Sequence, residues 1–408
     1  MAKIAILGFG TVGSGVAEVL TENADIIAEK LSERAELKYI LDIRDFPGNP
    51  FADKIIKDFS VIENDPEIEV VVETIGGAGV AYEFTKRALS KGKHVVTSNK
   101  ELVSTKGEEL LAIAREKNLN YLFEASVGGT IPVLRPLDMC LGANRIEEIC
   151  GILNGTTNYI LTRMIKENLT FSDALSEAQK LGYAEQDPTA DIEGIDACRK
   201  ICILSDLAYG KSISPEKVVT EGISKIALED VSFAASGGYV IKLLGRVKRR
   251  EDDKLYIYVA PHLVRSGRPL SFVEDAFNGI MIRGNACGEV MFYGKGAGKL
   301  PTASAVVADV IDSVRHRSRR KILGWSGSND AMVADLSGMV CPMYYRVVGV
   351  SFDEVSEIYT PVRLNGKGAP DGECAFLTEP LSVGEHEEKA ALLRKKGRIL
   401  SKIKVLDE

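Results

Sequence analysis

The first thirteen residues constrain the fold more than any other part of the chain. Residues 3–7 form an apolar run, residues 8–13 read GFGTVG, and the apolar residues that follow recur with helical spacing. In such a strand–loop–helix unit, the first glycine makes the tight turn, the second admits a pyrophosphate and the third lets the helix pack on the strand. The helix N-terminus then faces the anion. We therefore predict a dinucleotide site that contains Gly8, Gly10, Thr11, Val12 and Gly13.

Apolar runs and helical patterns continue to alternate after this loop. The runs lie at 37–43, 70–74, 94–97 and 121–124, and helical patterns lie at 81–90 and 107–117. The alternation predicts an α/β fold with a Rossmann-type, doubly wound parallel sheet. The 37–43 strand should end at the adenosine ribose, where Asp42 suits the ribose hydroxyls of NAD and Arg44 suits the 2′-phosphate of NADP. Arg44 could equally be an exposed cation, so the sequence leaves the choice between NAD and NADP open.

Composition narrows the class of protein. The chain has 408 residues, a formal net charge of −7 and no apolar stretch long enough to span a bilayer, and no basic and apolar leader pattern opens it. We expect a soluble protein of two or three domains with no membrane or nucleic-acid partner. Seven scattered cysteines suggest reduced thiols and a cytoplasmic location. Cys198 and Cys202 lie four residues apart, but no second pair follows them, so zinc is not expected.

Residues 182–200 concentrate polar side chains. The segment contains five carboxylates and is interrupted by Gly and Pro. A helical run at its end places Asp196, one of the five, and Lys200 four residues apart on one face. The apolar residues after Lys200 indicate that its amine lies at the rim of a core. Burial destabilises the charged form of such an amine, whereas Asp196 stabilises it. The alternative is a solvated acidic loop followed by an ordinary helix ion pair.

Three further segments carry glycine where a plain core would not. Residues 124–132 read EASVGGTIP and residues 151–160 read GILNGTTNYI, and each is typical of a loop that brings backbone to a small ligand. The second could equally be a turn followed by a helix N-cap. Residues 293–305 form a glycine-rich turn that leads into a helix of small residues. We expect this helix to pack back against the nucleotide domain.

Together these motifs resemble those of the homoserine dehydrogenase family. Over residues 1–320 they follow in order: GFGTVG, Ser98-Asn99-Lys100, EASVGGTIP, GILNGTTNYIL, GYAEQDPTADIEGIDACRK and YGKGAGKLPTASAV. The resemblance implies reversible reduction of L-aspartate 4-semialdehyde to L-homoserine with NADPH or NADH, on the route to threonine, methionine and isoleucine. The residues alone indicate only a dehydrogenase of a small polar carbonyl. A nucleotide sensor without activity and a dehydrogenase for another amino-acid-like carbonyl are the alternatives.

The resemblance also implies roles for individual residues. Lys200 matches the general acid and base, Asp196 the residue that orients it, and Lys100 a second lysine between nicotinamide and substrate. Glu185 and Asp191 match carboxylates for the substrate's ammonium and hydroxyl. We expect Asn154, Gly155, Thr156 and Thr157 at the substrate, because hydroxyl and amide donors suit its carboxylate. Ser98 lies in a matching segment and is expected at the cofactor, and Glu124, Val127, Gly129 and Ile131 match a monovalent-cation site. Ligands that are mostly backbone carbonyls suit sodium in a structural role.

The last third of the chain resembles an ACT regulatory domain. Strand patterns at 344–350, 374–378 and 399–406 and a helix at 385–395 support an ACT-like domain over 340–408. After Val350, however, the chain lacks the family's Asp-x-x-Gly turn and longer helix. We therefore expect a degenerate module that is kept for dimer contacts without threonine feedback.

The resemblance completes the domain plan. We expect a Rossmann domain at 1–135, completed by a helix at 301–318, and a substrate-binding and dimerisation domain at 136–300. The active site is expected in the cleft between these two domains. By analogy with the family, the protein should be a homodimer or a higher homo-oligomer.

Overall fold

A computed structural model describes residues 1–368 and 370–407. Its strands are β1 (Ala2–Leu7), β2 (Ala35–Leu41), β3 (Ile55–Ile56), β4 (Ile68–Glu73), β5 (His94–Thr97), β6 (Tyr121–Leu122), β7 (Ile146–Ile152), β8 (Val219–Thr220), β9 (Tyr239–Arg249), β10 (Leu255–Arg265), β11 (Phe277–Gly284), β12 (Gly288–Lys295), β13 (Val340–Cys341), β14 (Met343–Val348), β15 (Val362–Leu364), β16 (Glu373–Leu377), β17 (Leu381–Ser382) and β18 (Arg398–Val405). Its α-helices are α1 (Thr11–Glu22), α2 (Ala24–Leu31), α3 (Phe59–Asn64), α4 (Gly79–Ser90), α5 (Lys100–Glu116), α6 (Gly155–Glu167), α7 (Phe171–Lys180), α8 (Thr189–Ile192), α9 (Ile195–Tyr209), α10 (Leu228–Ser236), α11 (Lys299–Arg315), α12 (Phe352–Ser356) and α13 (Val383–Lys396). None of the helices in these described ranges combines the length and hydropathy that a bilayer span requires.

The chain divides into two compact units. The first contains residues 1–145, 202–215 and 294–330, and the second contains residues 146–201, 216–293 and 331–408. The three-domain plan expected from the sequence remains a prediction.

The first unit is built on a parallel sheet of six strands in the order β3-β2-β1-β4-β5-β6. Its central strands are buried on both faces, and their near-continuous apolar residues reflect this. Helix α11 packs on α1, where a Cβ on Gly15 would lie only 2.8 Å from the Lys299 carbonyl oxygen. The small residues of these two helices therefore permit the close packing that the sequence predicted. The expected Rossmann-type sheet is confirmed.

Local polar contacts decide where two elements of this unit begin and end. Helix α5 starts at Lys100, seven residues before the predicted position, because the Asn99 side chain accepts a hydrogen bond from the Leu102 N–H at 3.1 Å and caps it. Strand β6 ends at Leu122, two residues early. A 3₁₀ turn, Glu124–Ser126, follows it, and the Glu124 carboxylate binds the backbone N–H groups of Val133, Leu134 and Arg135.

The second unit contains a long mixed sheet in the order β12-β11-β7-β9-β10-β18-β14-β16-β15, with β8 beside β10. Strand β18 is parallel to β10 and antiparallel to β14. Apart from the two-residue β17, which pairs with β13, the elements from β14 onward are β14-α12-β15-β16-α13-β18. This order is βαββαβ, and the sheet order matches the ferredoxin-like arrangement. Helix α12 has only five residues. The assignment of this part as an ACT-like domain remains a prediction.

Candidate active site

The buried pair of Lys200 and Asp196 is the chemical centre of the second unit. Both residues lie in the first turns of α9, and their side chains are only 9% and 5% exposed. The Lys200 Nζ donates to Asp196 Oδ2 at 2.7 Å and to the Leu153 carbonyl oxygen at 2.8 Å. A buried amine that is held by one carboxylate and one carbonyl has a defined position from which to exchange a proton.

Asn154 connects this pair to the neighbouring acidic segment. Its Nδ2 donates to Asp196 Oδ2 at 2.8 Å and to Asp191 Oδ1 at 2.7 Å. Its Oδ1 accepts the Thr157 N–H at 2.8 Å and so caps α6. The N-cap that the sequence offered as one alternative is therefore present, and the substrate-binding role of this segment stays a prediction.

The other predicted substrate residues lie around Asn154, and several are already engaged within the protein. The Thr156 hydroxyl donates to the Tyr183 carbonyl at 2.6 Å, and the Thr157 hydroxyl donates to Asn154 Oδ1 at 3.0 Å. Gly155 is required by packing, because a Cβ there would lie 2.7 Å from the Ala276 carbonyl oxygen. Glu185 is exposed, whereas Asp191 is joined to the Asp196–Lys200 pair through Asn154.

In the first unit, the glycine loop has the geometry that a dinucleotide requires. Gly8 adopts φ +89°, and a Cβ on Gly13 would lie 1.9 Å from the Gly8 carbonyl oxygen. A Cβ on Gly10 would meet no atom of the described residues within 4 Å. The first turn of α1 contains Thr11 and Val12, and no side chain of the described residues caps this helix. Its open N–H groups beside Gly10 therefore suit a pyrophosphate.

At the end of β2, Asp42 and Arg44 bind each other. Arg44 donates to Asp42 through Nε at 3.0 Å and through its terminal nitrogen at 2.9 Å, and the Phe9 N–H donates to the same carboxylate at 2.7 Å. The hydrogen bond from Arg44 is the main cause that lowers the pKa of Asp42 to about 2. The Arg44 side chain remains 58% exposed. The Asp42 carboxylate therefore already accepts hydrogen bonds from the protein, whereas the Arg44 guanidinium is accessible to solvent.

Lys100 is the first residue of α5 and follows Ser98 and the cap residue Asn99. A buried carboxylate that the sequence analysis missed organises this region. Glu73 accepts the Thr97 hydroxyl at 2.6 Å and the Ile75 N–H at 2.7 Å, and burial raises its pKa. It thereby ties the loop after β4 to the loop that carries Lys100. Its sequence signal was a single Glu at the end of an apolar strand.

The predicted cation residues lie on a tight turn, in which Gly128 and Gly129 both adopt positive φ. The Glu124 carboxylate binds three backbone N–H groups and Arg135, whose Nε lies 3.2 Å away. A cation here would therefore have to use backbone carbonyl oxygens, as the sequence analysis expected. Elsewhere in residues 1–368 and 370–407, no cluster of three or more His, Cys, Asp or Glu side chains could hold a metal ion.

The two units therefore offer complementary chemistry. One provides a glycine loop and helix N-terminus that fit a dinucleotide, and the other provides a buried lysine beside carboxylates. A dinucleotide supplies or accepts hydride when bound, and a lysine can move the accompanying proton.

Comparisons with known proteins agree with this chemistry. The family model described as homoserine dehydrogenase matches residues 132–311, and the model described as homoserine dehydrogenase, NAD binding domain, matches residues 8–124. A homoserine dehydrogenase of Pseudomonas aeruginosa is 46% identical over 314 residues, which cover 77% of this chain and 72% of that protein.

Two solved structures extend the comparison. The crystal structure of a homoserine dehydrogenase from Thiobacillus denitrificans matches with a TM-score of 0.89 and 34% identity, covering 100% of this chain and 98% of that one. A hyperthermophilic archaeal homoserine dehydrogenase in complex with NADPH matches with a TM-score of 0.65 and 31% identity, covering 76% of this chain and 97% of that one.

Proposed function

The chain belongs to the homoserine dehydrogenase family of NAD(P)-dependent oxidoreductases, and we propose that Lys200 is the general acid and base of its reaction. In the proposed reaction, L-aspartate 4-semialdehyde is reduced to L-homoserine. Lys200 gives a proton to the aldehyde oxygen as hydride reaches the carbonyl carbon, and it removes that proton in the reverse direction. The observation that carries the proposal is the burial of this amine between Asp196 and the Leu153 carbonyl.

In this proposal, Asn154 organises the site and does not itself bind the substrate carboxylate, because its amide hydrogens already bind Asp191 and Asp196. The substrate carboxylate would instead meet the first turn of α6, formed by Gly155, Thr156 and Thr157, where the helix dipole favours an anion. Asp191 and Glu185 would bind the substrate's ammonium. Lys100 and Ser98 would serve the nicotinamide end, which their position after a parallel sheet strand supports.

We propose that Arg44 makes NADP the preferred cofactor. Its exposed guanidinium, held in place by Asp42, suits a 2′-phosphate, and the archaeal relative was solved with NADPH. In Arg44→Ala, the KM for NADPH should rise by about 10-fold or more, since a charge-assisted contact is lost, while the KM for NADH changes little. An equal rise in the KM for NADPH and in the KM for NADH would show that Arg44 does not bind the 2′-phosphate.

Other features of the protein belong to the same proposal. A monovalent cation, most simply sodium, would be held by the carbonyls of Glu124, Val127, Gly129 and Ile131 and would stabilise the turn. We further propose that the enzyme is a cytoplasmic homo-oligomer. It would act in threonine, methionine and isoleucine biosynthesis and would not be inhibited by threonine. The short α12 supports the regulatory part, and saturable inhibition in a threonine titration would overturn it.

The test of the function is homoserine-dependent reduction of NADP and of NAD by the parent, by Lys200→Ala and by the control Lys180→Ala. Lys180 is an exposed lysine at the end of α7. The parent and the control should turn over, and Lys200→Ala should lose a factor of about 10² or more in kcat. Cofactor binding without turnover in the parent would favour a nucleotide sensor. Turnover that survives in Lys200→Ala would move the proton transfer to Lys100 or to water.

A further inference from the structure

Strand β11 lies unusually close to the segment that holds Lys200. A Cβ on Gly151 would lie 2.9 Å from the Gly279 carbonyl oxygen, and a Cβ on Gly155 would lie 2.7 Å from the Ala276 carbonyl oxygen. These two glycines flank Leu153 and Asn154. The backbone around residue 278 is therefore pressed against the substrate motif on both sides of those two residues.

The side chain of Asn278, in this part of β11, contacts the backbone of Leu153. The residue has no solvent exposure, and its Nδ2 donates to the Leu153 carbonyl oxygen at 3.0 Å. The same oxygen accepts Lys200 Nζ at 2.8 Å. A carbonyl can only accept, so the amide nitrogen of Asn278 has to face it, and the orientation of the amide follows from the chemistry.

The oxygen of the Asn278 amide lowers the stability of the folded state. The Asn278 Oδ1 is buried and accepts no hydrogen bond from residues 1–368 or 370–407. A buried polar atom without a partner opposes folding, and an apolar side chain of similar shape would avoid that penalty. The polarity of this position therefore needs an explanation other than stability, and the bond to Leu153 is the one polar contact described for it.

We infer that Asn278 is a positioning residue for the proton transfer by Lys200. Its amide occupies one lone pair of the Leu153 carbonyl and leaves the other to the lysine, so that the flexible lysine side chain is held in one orientation beside Asp196. The inference rests on the proposed function of Lys200. Asn278 acts through Leu153 and Lys200 and does not itself contact the reacting atoms.

The test compares the parent with Asn278→Leu, which keeps the approximate shape but removes the donor. We expect kcat for homoserine oxidation to fall by about 10-fold or more, because small displacements of a catalytic group are costly. The KM for homoserine should change little. The solvent deuterium isotope effect on kcat should rise, because proton transfer becomes slower relative to the other steps, and a purely structural role would not produce this change.

A second variant and a control keep the test decisive. If Asn278→Leu does not fold, Asn278→Asp, which is isosteric and in its ionised form has no donor, carries the same expectations. Asn158→Leu removes another buried asparagine, whose amide bonds to Val273, Asp275 and Phe277 carbonyls, and should lower the melting temperature without raising the isotope effect. Unchanged kcat and isotope effect in a folded Asn278 variant would overturn the inference and leave the function of an active parent standing. An inactive parent would overturn both.

Discussion

Asn154 shows how much of the site depends on one side chain. Its oxygen caps α6, and its nitrogen brings together two carboxylates, Asp191 and Asp196, that would otherwise repel each other. Asp196 in turn holds Lys200. One amide therefore links helix formation, charge balance and the position of the lysine.

Two substitutions at Asn154 should separate these roles. Asn154→Ser keeps a good N-cap and loses the bridge to the carboxylates, whereas Asn154→Ala loses both. We expect both variants to lower kcat/KM by about 10-fold or more, while the free energy of unfolding of the Ala variant should lie about 1 kcal/mol below that of the Ser variant. Steady-state kinetics and urea unfolding measure the two effects. Full activity in the Ser variant would contradict the organising role.

The sequence predicted the local part of this site and missed the part made by distant residues. The spacing of Asp196 and Lys200 determines their contact, because residues four apart on a helix share a face. The Leu153 carbonyl is 47 residues from Lys200, and Asn278 is 125 residues from Leu153. Their meeting depends on the pairing of β11 with β7, which no motif in the chain encodes.

At the scale of elements, the loop between β1 and α1 separates packing from ligand binding. Gly13→Ala places a Cβ 1.9 Å from the Gly8 carbonyl oxygen, so α1 has to move away from the strand. In Gly10→Ala, the new Cβ would meet no atom of the described residues within 4 Å, but it would lie where the pyrophosphate is expected.

The two alanine variants should therefore fail differently. Gly13→Ala should lower the melting temperature by several degrees, as expected for a loss of about 1–3 kcal/mol. Gly10→Ala should keep the parent's melting temperature and raise the Kd for NADPH by about 10-fold or more. Thermal melting and a fluorescence titration measure these effects. Tight NADPH binding by Gly10→Ala would place the pyrophosphate elsewhere.

Most elements of the first unit were predictable because its central strands are buried on both faces and read as nearly continuous apolar runs. The prediction matched β5 at His94–Thr97 but missed the early start of α5, because a cap depends on one side chain rather than on periodicity. In the second unit, the strand order could not be predicted. It places β18 between two strands that are far from it in sequence.

At the scale of the whole molecule, buried histidines should make the protein sensitive to acid. Burial, together with Lys404 and Arg246, lowers the pKa of His262 to about 3, and the pKa values of His94 and His386 are also lowered by burial. Below pH 6.5 the unfolded chain binds a proton at each such position that the folded chain does not bind. The stabilisation is therefore complete well above pH 6.5 and is lost as the pH falls toward the folded value.

Between pH 7 and pH 5, His262 alone should account for a loss of about 2 kcal/mol in the free energy of unfolding. Urea unfolding at the two pH values measures the loss, and His262→Gln should reduce it by that amount. His316→Gln, which removes a histidine whose side chain is 43% exposed, is the control. An unchanged pH dependence in His262→Gln would show that the ring of His262 can be protonated in the folded protein.

Removal of the last strand, β18, would show whether the C-terminal βαββαβ segment is an appended domain or an integral part of the second unit. Strand β18 lies between β10 and β14, and beyond it Asp407 forms ion pairs with the buried Arg246 at 2.6 Å and with Lys248 at 2.7 Å. Burial opposes ionisation of Asp407, but Arg246 and Lys248 still hold its pKa near 2. A chain that ends after Gly397 would leave β10 and β14 with unpaired edges and would remove one partner of a buried guanidinium.

We therefore expect the chain that ends after Gly397 to be insoluble or to melt at least about 10 °C below the parent, as a loss of several kcal/mol implies. Asp407→Ala, which leaves Arg246 paired with Glu148 at 2.6 Å, should cost only about 1–3 kcal/mol. Expression in soluble form, melting temperature and homoserine oxidation distinguish the two. A shortened chain with the parent's stability and activity would mean that the second unit folds without β18, and the C-terminal segment would then be an appended domain.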